Sequence, residues 1–394
     1  MQRDLARVAL VVGPLAALGP FAIDMYLPAL PLVAADLGAS MQAVQTTLTA
    51  YFIAFGLCQM VYGPLSDRWG RKPPLYVGIA VFLAGTIAAS LAPGIEALIA
   101  ARFVQGVGAA AVMVIPRAIV RDLHSGPEAT RLMALVMLVI SVAPMTAPLI
   151  GSLVMPVGGW RAIFGLLALI AVACLALTAF VLDETLPSAR RVAAGPAAIW
   201  RGIRRLLGDR RFMGLTFVAG FSIATFFVFV ASAAFVYTEE FGLTPFAFSL
   251  AFAINAVGFF GASQFAATLS ERFGMSRVVL LAASGFTATA TLLFLLVVAG
   301  FGTLWLIVGM LFAANACLGL VMPTTMVMAL DPHPDIAGLA SSLGGTLQMT
   351  TGALMIAAAG PFLDGTAAPM VGAIAVAGLL ALLAAVATLS PRQA

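Results

Sequence analysis

The sequence predicts an all-α integral membrane protein, with twelve transmembrane helices in two pseudo-symmetric six-helix bundles. Composition is the first observation behind this: of 394 residues, 62% are apolar and only 9% charged, against about 25% charged in an ordinary soluble domain. Mean hydropathy is +1.09, so most of the apolar surface must face lipid or other buried helices, which rules out a soluble globular protein. The last observation is arrangement. The apolar residues fall in uninterrupted runs of about 20, the length of a bilayer-crossing helix, without the alternation of barrel strands.

Taken in order, the runs are 8–30, 44–64, 75–92, 97–120, 132–153 and 162–182, then 212–236, 246–269, 278–299, 304–329, 336–362 and 370–389. The first follows basic residues as a signal peptide would, but continues through Asp24 to Pro28 and Pro31, and is expected to be a retained span. The expected organisation is an N-terminal bundle over 1–182, a basic linker over 183–211 and a C-terminal bundle over 212–394. The linker carries Arg190, Arg191, Arg201, Arg204, Arg205, Arg210 and Arg211. It is expected to touch anionic lipid heads and fix topology, and nucleic acid is not an expected partner.

With the N-terminus cytoplasmic, one side collects Arg3, Arg7, Arg68, Arg71, Lys72, Arg121, Arg131, the linker arginines, Arg272, Arg277 and Arg392, and the other only Arg161. This asymmetry predicts that both termini and the linker lie in the cytoplasm. Cys58, Cys174 and Cys317 all lie inside apolar runs and are expected to be small packing residues, with no metal site. His124 and His333, in short loops, are expected to be solvated.

The halves are related. Leu65-Ser66-Asp67-Arg68-Trp69-Gly70 after the second run recurs as Leu269-Ser270-Glu271-Arg272-Phe273-Gly274 after the eighth. Two six-span bundles repeated about an axis along the membrane normal is a plan of secondary transporters.

Asp24 is the only carboxylate well inside an apolar run, and an intramembrane acid is costly enough to be presumed functional. At about 1.5 Å per residue it lies roughly 24 Å from Val8, in the outer part of the core. The alternative is a side chain that reaches the outer boundary. Arg102, about 8 Å inside the outer end of the fourth run by the same rise, is the expected counter-charge. A pair that rearranges between conformations would change proton affinity as an antiporter needs, whereas a static pair would be structural. The later runs carry polar neutrals, Asn255, Gln264, Asn315 and Gln348, and a phenylalanine-rich seventh run that includes Phe221 and Phe227. Apolar walls with a few polar groups suit lipophilic drugs, although most such phenylalanines would serve equally as packing.

Gly63-Pro64-Leu65-Ser66-Asp67-Arg68-Trp69-Gly70-Arg71-Lys72 resembles the signature loop of the major facilitator superfamily almost residue for residue. Arg102-Phe103-Val104-Gln105-Gly106-Val107-Gly108 resembles its Arg-x-x-Gln-Gly motif, and Ala147-Pro148-Leu149-Ile150-Gly151 its antiporter motif. The last departs from the family pattern at Ala147 and Ser152. Even so, Ala143, Ala147 and Gly151, with Pro144 and Pro148, keep a small-residue packing face. Asp24-Met25-Tyr26-Leu27-Pro28 and Arg121-Asp122 resemble the bicyclomycin-resistance (Bcr/CflA) branch of drug:proton antiporters.

The resemblance implies the major facilitator fold and a cytoplasmic gate of Gly63, Asp67, Arg68, Gly70 and Arg71, with Arg121 and Asp122 as weaker members. In the family this acid meets a helix dipole of the second bundle and closes the cytoplasmic side. Asp24 and Arg102 are assigned to proton coupling. The substrate cavity is assigned Asp24, Tyr26, Arg102, Gln105, Phe221, Phe227, Asn255, Asn315 and Gln348.

Neither a Gly-x-x-x-x-Gly-Lys-Ser/Thr loop nor His-Glu-x-x-His occurs, so the expectation is a transporter rather than an enzyme, driven by a proton gradient without cofactors. The expected activity is proton-driven multidrug efflux by alternating access. The alternative is a proton-coupled metabolite exporter or importer of the same fold. One chain holds both bundles, so a monomer is expected to suffice, with amphipathic drugs, protons and the bilayer as its partners.

Overall fold

A computed structural model describes residues 2–123, 126–188, 191 and 195–389, and these are helical with no strand among them. The chain divides into two compact units, Met1–Pro196 and Ala197–Ala394.

In the first unit, α1 (Gln2–Asp24), a 3₁₀ turn at Leu27–Ala29 and α2 (Leu30–Leu37) follow one another as a single broken span. Next come α3 (Met41–Trp69), α4 (Lys72–Ser90), α5 (Ile95–Leu123) and α6 (Gly126–Phe180). The 55 residues of α6 are two helices, because Gly158 and Gly159 leave the helical region and Gly159 takes φ +65°. A glycine there turns the chain between the expected fifth and sixth spans. Beyond that turn, the single arginine expected on this side, Arg161, bonds Asp36 Oδ2 at 2.6 Å and the Ala92 carbonyl at 3.2 Å. Trp160 Nε1 donates to the same Asp36 oxygen at 2.9 Å. The ends of α2, α4 and the second half of α6 are thereby tied together.

The second unit holds α7 (Pro196–Gly208), α8 (Arg210–Phe235), α9 (Pro245–Ser263), α10 (Ala266–Phe273), α11 (Met275–Leu296), α12 (Leu304–Leu330), α13 (Ala337–Ala359) and α14 (Ala367–Leu389). Asp209 caps α8, its Oδ1 accepting from the Arg211 and Phe212 N–H groups at 2.8 and 3.1 Å. Burial would raise the Asp209 carboxyl, but these two N–H bonds and His333 hold it below the usual carboxylate range. His333 is therefore not solvated as expected. Its Nε2 lies 3.0 Å from Asp209 Oδ2 and its ring packs edge-on against Phe212, because the cap of α8 reaches the loop before α13. His124 lies outside the described residues.

Ten runs among the described residues are long and apolar enough to cross a membrane, and one of them, Val136–Phe180, contains both halves of α6. The sequence of α13 is diluted by Gly344, Gly345, Thr346, Gln348 and Thr350, the small and polar residues that let membrane helices pack closely. Twelve spans are consistent with this set. Two expected boundaries move. The first span does not end near Leu30 but continues to Leu37, since Pro28 and Pro31 break the helix locally and α2 stays apolar. The run 246–269 stops at Ser263, and α10 is a separate short helix.

The sequence repeat is also a structural one. Gly70 ends α3 with φ +94° and Gly274 ends α10 with φ +84°, so both copies close on a backbone conformation that favours glycine.

Candidate functional site

The break in the first span is built by proline. Pro28 has no N–H to give the Asp24 carbonyl, so the helical ladder cannot continue. Met25 N still reaches the Phe21 carbonyl at 3.1 Å, while Tyr26 N shortens its reach to Ile23 at 3.2 Å. The Ala22 carbonyl thus loses its helical donor, and Arg102 Nη1 from α5 takes that place at 3.0 Å. Asp24 therefore sits at the break itself, as the last residue of α1 within a span that continues to Leu37.

Arg102 is 0% exposed. Its guanidinium lies 4.4 Å from the Tyr51 ring centroid, 5.1 Å from Tyr26 and 5.9 Å from Phe164, an aromatic cage that suits a cation. Nη1 also donates to Gln105 Oε1, and Gln105 Nε2 donates to Thr86 Oγ1 at 2.8 Å. Close backbone approach sets this up. A Cβ on Gly106 would strike the Tyr51 carbonyl, and one on Gly85 would strike the Gln105 backbone, so the glycines bring α3 and α4 against α5.

The expected Asp24–Arg102 ion pair is not formed. Arg102 gives Nη1 to the freed Ala22 carbonyl and to Gln105, its Nε and Nη2 reach no acceptor, and the Asp24 carboxyl, 5% exposed, has no hydrogen-bond or ion-pair partner among the described residues. Tyr26 is a fully buried wall of the arginine cage, its hydroxyl accepting from Thr47 at 3.3 Å.

The antiporter-like segment packs against this same break. Ala143, Pro144, Ala147, Pro148 and Gly151 are all buried on the first half of α6. A Cβ on Gly151 would run into the Met25 backbone, one residue from Asp24. Gly151→Val is expected to cost about 1–3 kcal/mol by overpacking. The check is a lowered thermal midpoint of the purified protein together with lost transport.

At the other end of α3, the signature loop is an ion network within the first unit. Arg71 holds Asp122 with both Nε (2.6 Å) and Nη2 (3.1 Å), and gives Nη1 to Asp67 (2.5 Å) and to Ser66 Oγ (2.9 Å). Ser66 in turn donates to the Gly63 carbonyl at 2.8 Å. Arg68 is exposed and stands outside the network, while the side chain of Arg121 lies outside the described residues.

Glu184 joins the network from beyond α6. It accepts from the Arg71, Lys72 and Leu186 N–H groups at 2.9, 3.1 and 2.9 Å. A Cβ on Gly70 would collide with its carboxylate and with Arg191. Burial raises the Glu184 carboxyl, but the three backbone bonds and Arg191 hold it below the usual carboxylate range. Its contribution is therefore complete above the unfolded value of about 4.3 and is lost only as pH falls through the lower folded value. Glu184→Ala is expected to lower stability by about 1–2 kcal/mol, as a lost helix cap does. Thermal melts should show the same loss at about pH 5.5 and pH 8.

In the second unit, Asn255 on α9 and Asn315 on α12 are buried and face each other, Asn315 Nδ2 lying 3.4 Å from Asn255 Oδ1. Phe221 is half-buried and stacks on Phe217 at 6.1 Å. Phe227 packs over Gly352 of α13, where a Cβ would strike its ring. Gln348 is half-buried on α13.

Sequence reasoning missed Tyr51, Thr86 and Glu184. Tyr51 and Thr86 lie in apolar runs with no charge to mark them, and only Gly85 and, within the arginine motif, Gly106 signal close approach. Glu184 was legible as the second of two acids, after Asp183, that follow the sixth run.

A broken first span with a buried acid and a buried cation, and a loop motif repeated in both halves, describe a multi-pass membrane protein whose class its relatives give. Residues 12–356 match the Major Facilitator Superfamily. An uncharacterized MFS-type transporter of Bacillus subtilis, YdgK, is 36% identical over 378 residues, 94% of this chain and 92% of the relative. The bicyclomycin resistance protein homolog of Haemophilus influenzae is 32% identical over 377 residues, 94% of each chain. In fold, the chain is similar to the crystal structure of a D-xylose-proton symporter, with TM-score 0.74 at 15% identity over 97% of this chain and 96% of that one. The chain belongs to the major facilitator superfamily, in its Bcr/CflA drug-efflux branch.

Proposed function

We propose that the protein exports amphipathic drug-like compounds in exchange for protons by alternating access, in a bacterial inner membrane with both termini and the linker in the cytoplasm. One observation carries this reading: a buried carboxyl group, Asp24, at the break in the first span, with a buried arginine bonded to the Ala22 carbonyl two residues before it. A carboxyl group that is free of a cation partner is able to take up and release a proton. If proton and substrate compete for Asp24, or for a conformation set by its protonation, exchange follows without a second acid.

The remaining assignments are consistent with that scheme. Asn255 and Asn315 supply convergent amides among the aromatic side chains of the second unit, which suits lipophilic compounds with a polar group. Asp67 is 56% exposed and gives only one oxygen to Arg71, leaving its other oxygen for the helix contact that the family's gate makes. The protein acts as a monomer in the lipid bilayer and uses no cofactor beyond the gradient. The exposed Trp200 and Leu207 of α7, beside Arg201 and Arg204, support a position for that helix at an anionic membrane surface.

The test is transport in proteoliposomes with an imposed pH gradient, using phenicol, bicyclomycin-like and cationic-dye substrates. Gradient-dependent movement of any of these supports drug:proton antiport. Movement of none, with gradient-dependent flux of a polar metabolite, would make the protein a metabolite transporter.

A further inference from the structure

The hydrogen bonds around Arg102 have a direction, and the direction depends on a residue that belongs to none of the motifs. A guanidinium has donors only, so Gln105 must turn its amide oxygen toward Arg102 Nη1. Its amide Nε2 then points to α4 and needs an acceptor in a buried place. Thr86 Oγ1 supplies one at 2.8 Å. Thr86 is able to accept because its own proton goes to the Phe82 carbonyl, one turn back, at 2.7 Å. The donors therefore run one way, from Arg102 through Gln105 and Thr86 to Phe82, while a second bond from Nη1 holds the Ala22 carbonyl at the break. Thr86, Arg102 and Gln105 are all fully buried.

We propose that Thr86 is a positioning residue for proton coupling: it holds Gln105 with its carbonyl toward Arg102, and so fixes the guanidinium against the broken end of α1 beside Asp24. Valine has the same shape but no acceptor. With it, the Gln105 amide is left buried and unbonded and must rotate away, which releases Nη1 from one of its two anchors. Serine keeps the acceptor and the bond to Phe82. The inference rests on the proton-antiport reading for its function, but its geometry stands apart from that reading.

Two measurements test it. In proteoliposomes, Thr86→Val is expected to lower drug-driven proton flux by about tenfold or more, the scale of one buried hydrogen bond to a charged group. Thr86→Ser should stay within about twofold of wild type by the same reasoning. In a thermal-stability cycle on purified protein, Thr86→Val should lower the melting temperature when Gln105 is present and have no such effect in a Gln105→Leu background. Unchanged flux in Thr86→Val, equal losses in the Val and Ser variants, or a stability loss that persists in the Gln105→Leu background would each overturn the proposal. If wild-type protein shows no flux, the antiport reading fails, and the stability cycle alone decides whether Thr86 positions Gln105.

Discussion

Asp24→Asn is expected to reduce gradient-driven drug transport to the level of protein-free vesicles while leaving a folded protein. The substitution keeps shape and removes the titrating group. Because the carboxyl makes no hydrogen bond or ion pair among the described residues, little native structure depends on it. Exchange of labelled for unlabelled neutral phenicol, which needs the conformational cycle but no proton movement, should continue. That split separates a coupling acid from a structural one. An acid needed for packing would lose both activities together, and a mutant that retained full gradient drive would place coupling elsewhere.

Arg102→Met is expected to abolish the same transport at little net cost in stability, because the relieved desolvation offsets the loss of a donor by the Ala22 carbonyl and Gln105 Oε1. A cation buried without an anion is costly, and two atoms of this one, Nε and Nη2, have no acceptor among the described residues. Tyr51, Tyr26 and Phe164 offset part of that cost. Replacing buried ionic groups by apolar ones of similar volume is often neutral or stabilising by about 1–4 kcal/mol. Methionine fits such a site because its flexible chain fills irregular space. Circular-dichroism melts and transport assays on one preparation check both halves. A large loss of melting temperature would show that Arg102 holds the fold, and that its cap on Ala22 outweighs its desolvation.

Much of this architecture was legible in the sequence, because a membrane span writes itself as a run of apolar residues and a repeated loop writes itself as repeated letters. Gly70 and Gly274 show why the loop survives in both halves: each ends its helix at positive φ. The small residues Ala143, Ala147 and Gly151 were read as a packing face, and they are buried with Gly151 against Met25. What the sequence did not disclose was local backbone geometry. Pro28 and Pro31 looked like the exit from a span, but whether proline ends a membrane helix or only breaks it depends on which neighbours satisfy the freed carbonyls. Arg102 does so for Ala22, and it does not pair with Asp24. Depth counted along the chain brought acid and base to similar heights, but it carries no information about which acceptor an arginine takes. Glu184 and His333 were missed for a related reason. Each is held by backbone or cap contacts between segments distant in sequence, Glu184 with Arg71 and Lys72, His333 with Asp209.

The most direct measurement of the central claim is proton release on drug binding. Purified protein in weakly buffered detergent solution, titrated with a neutral substrate that binds it, should release protons in proportion to sites filled. The same titration of Asp24→Asn should release none while still binding. Stoichiometric binding by wild-type protein with no proton release would contradict competition between drug and proton at Asp24, and with it the exchange mechanism.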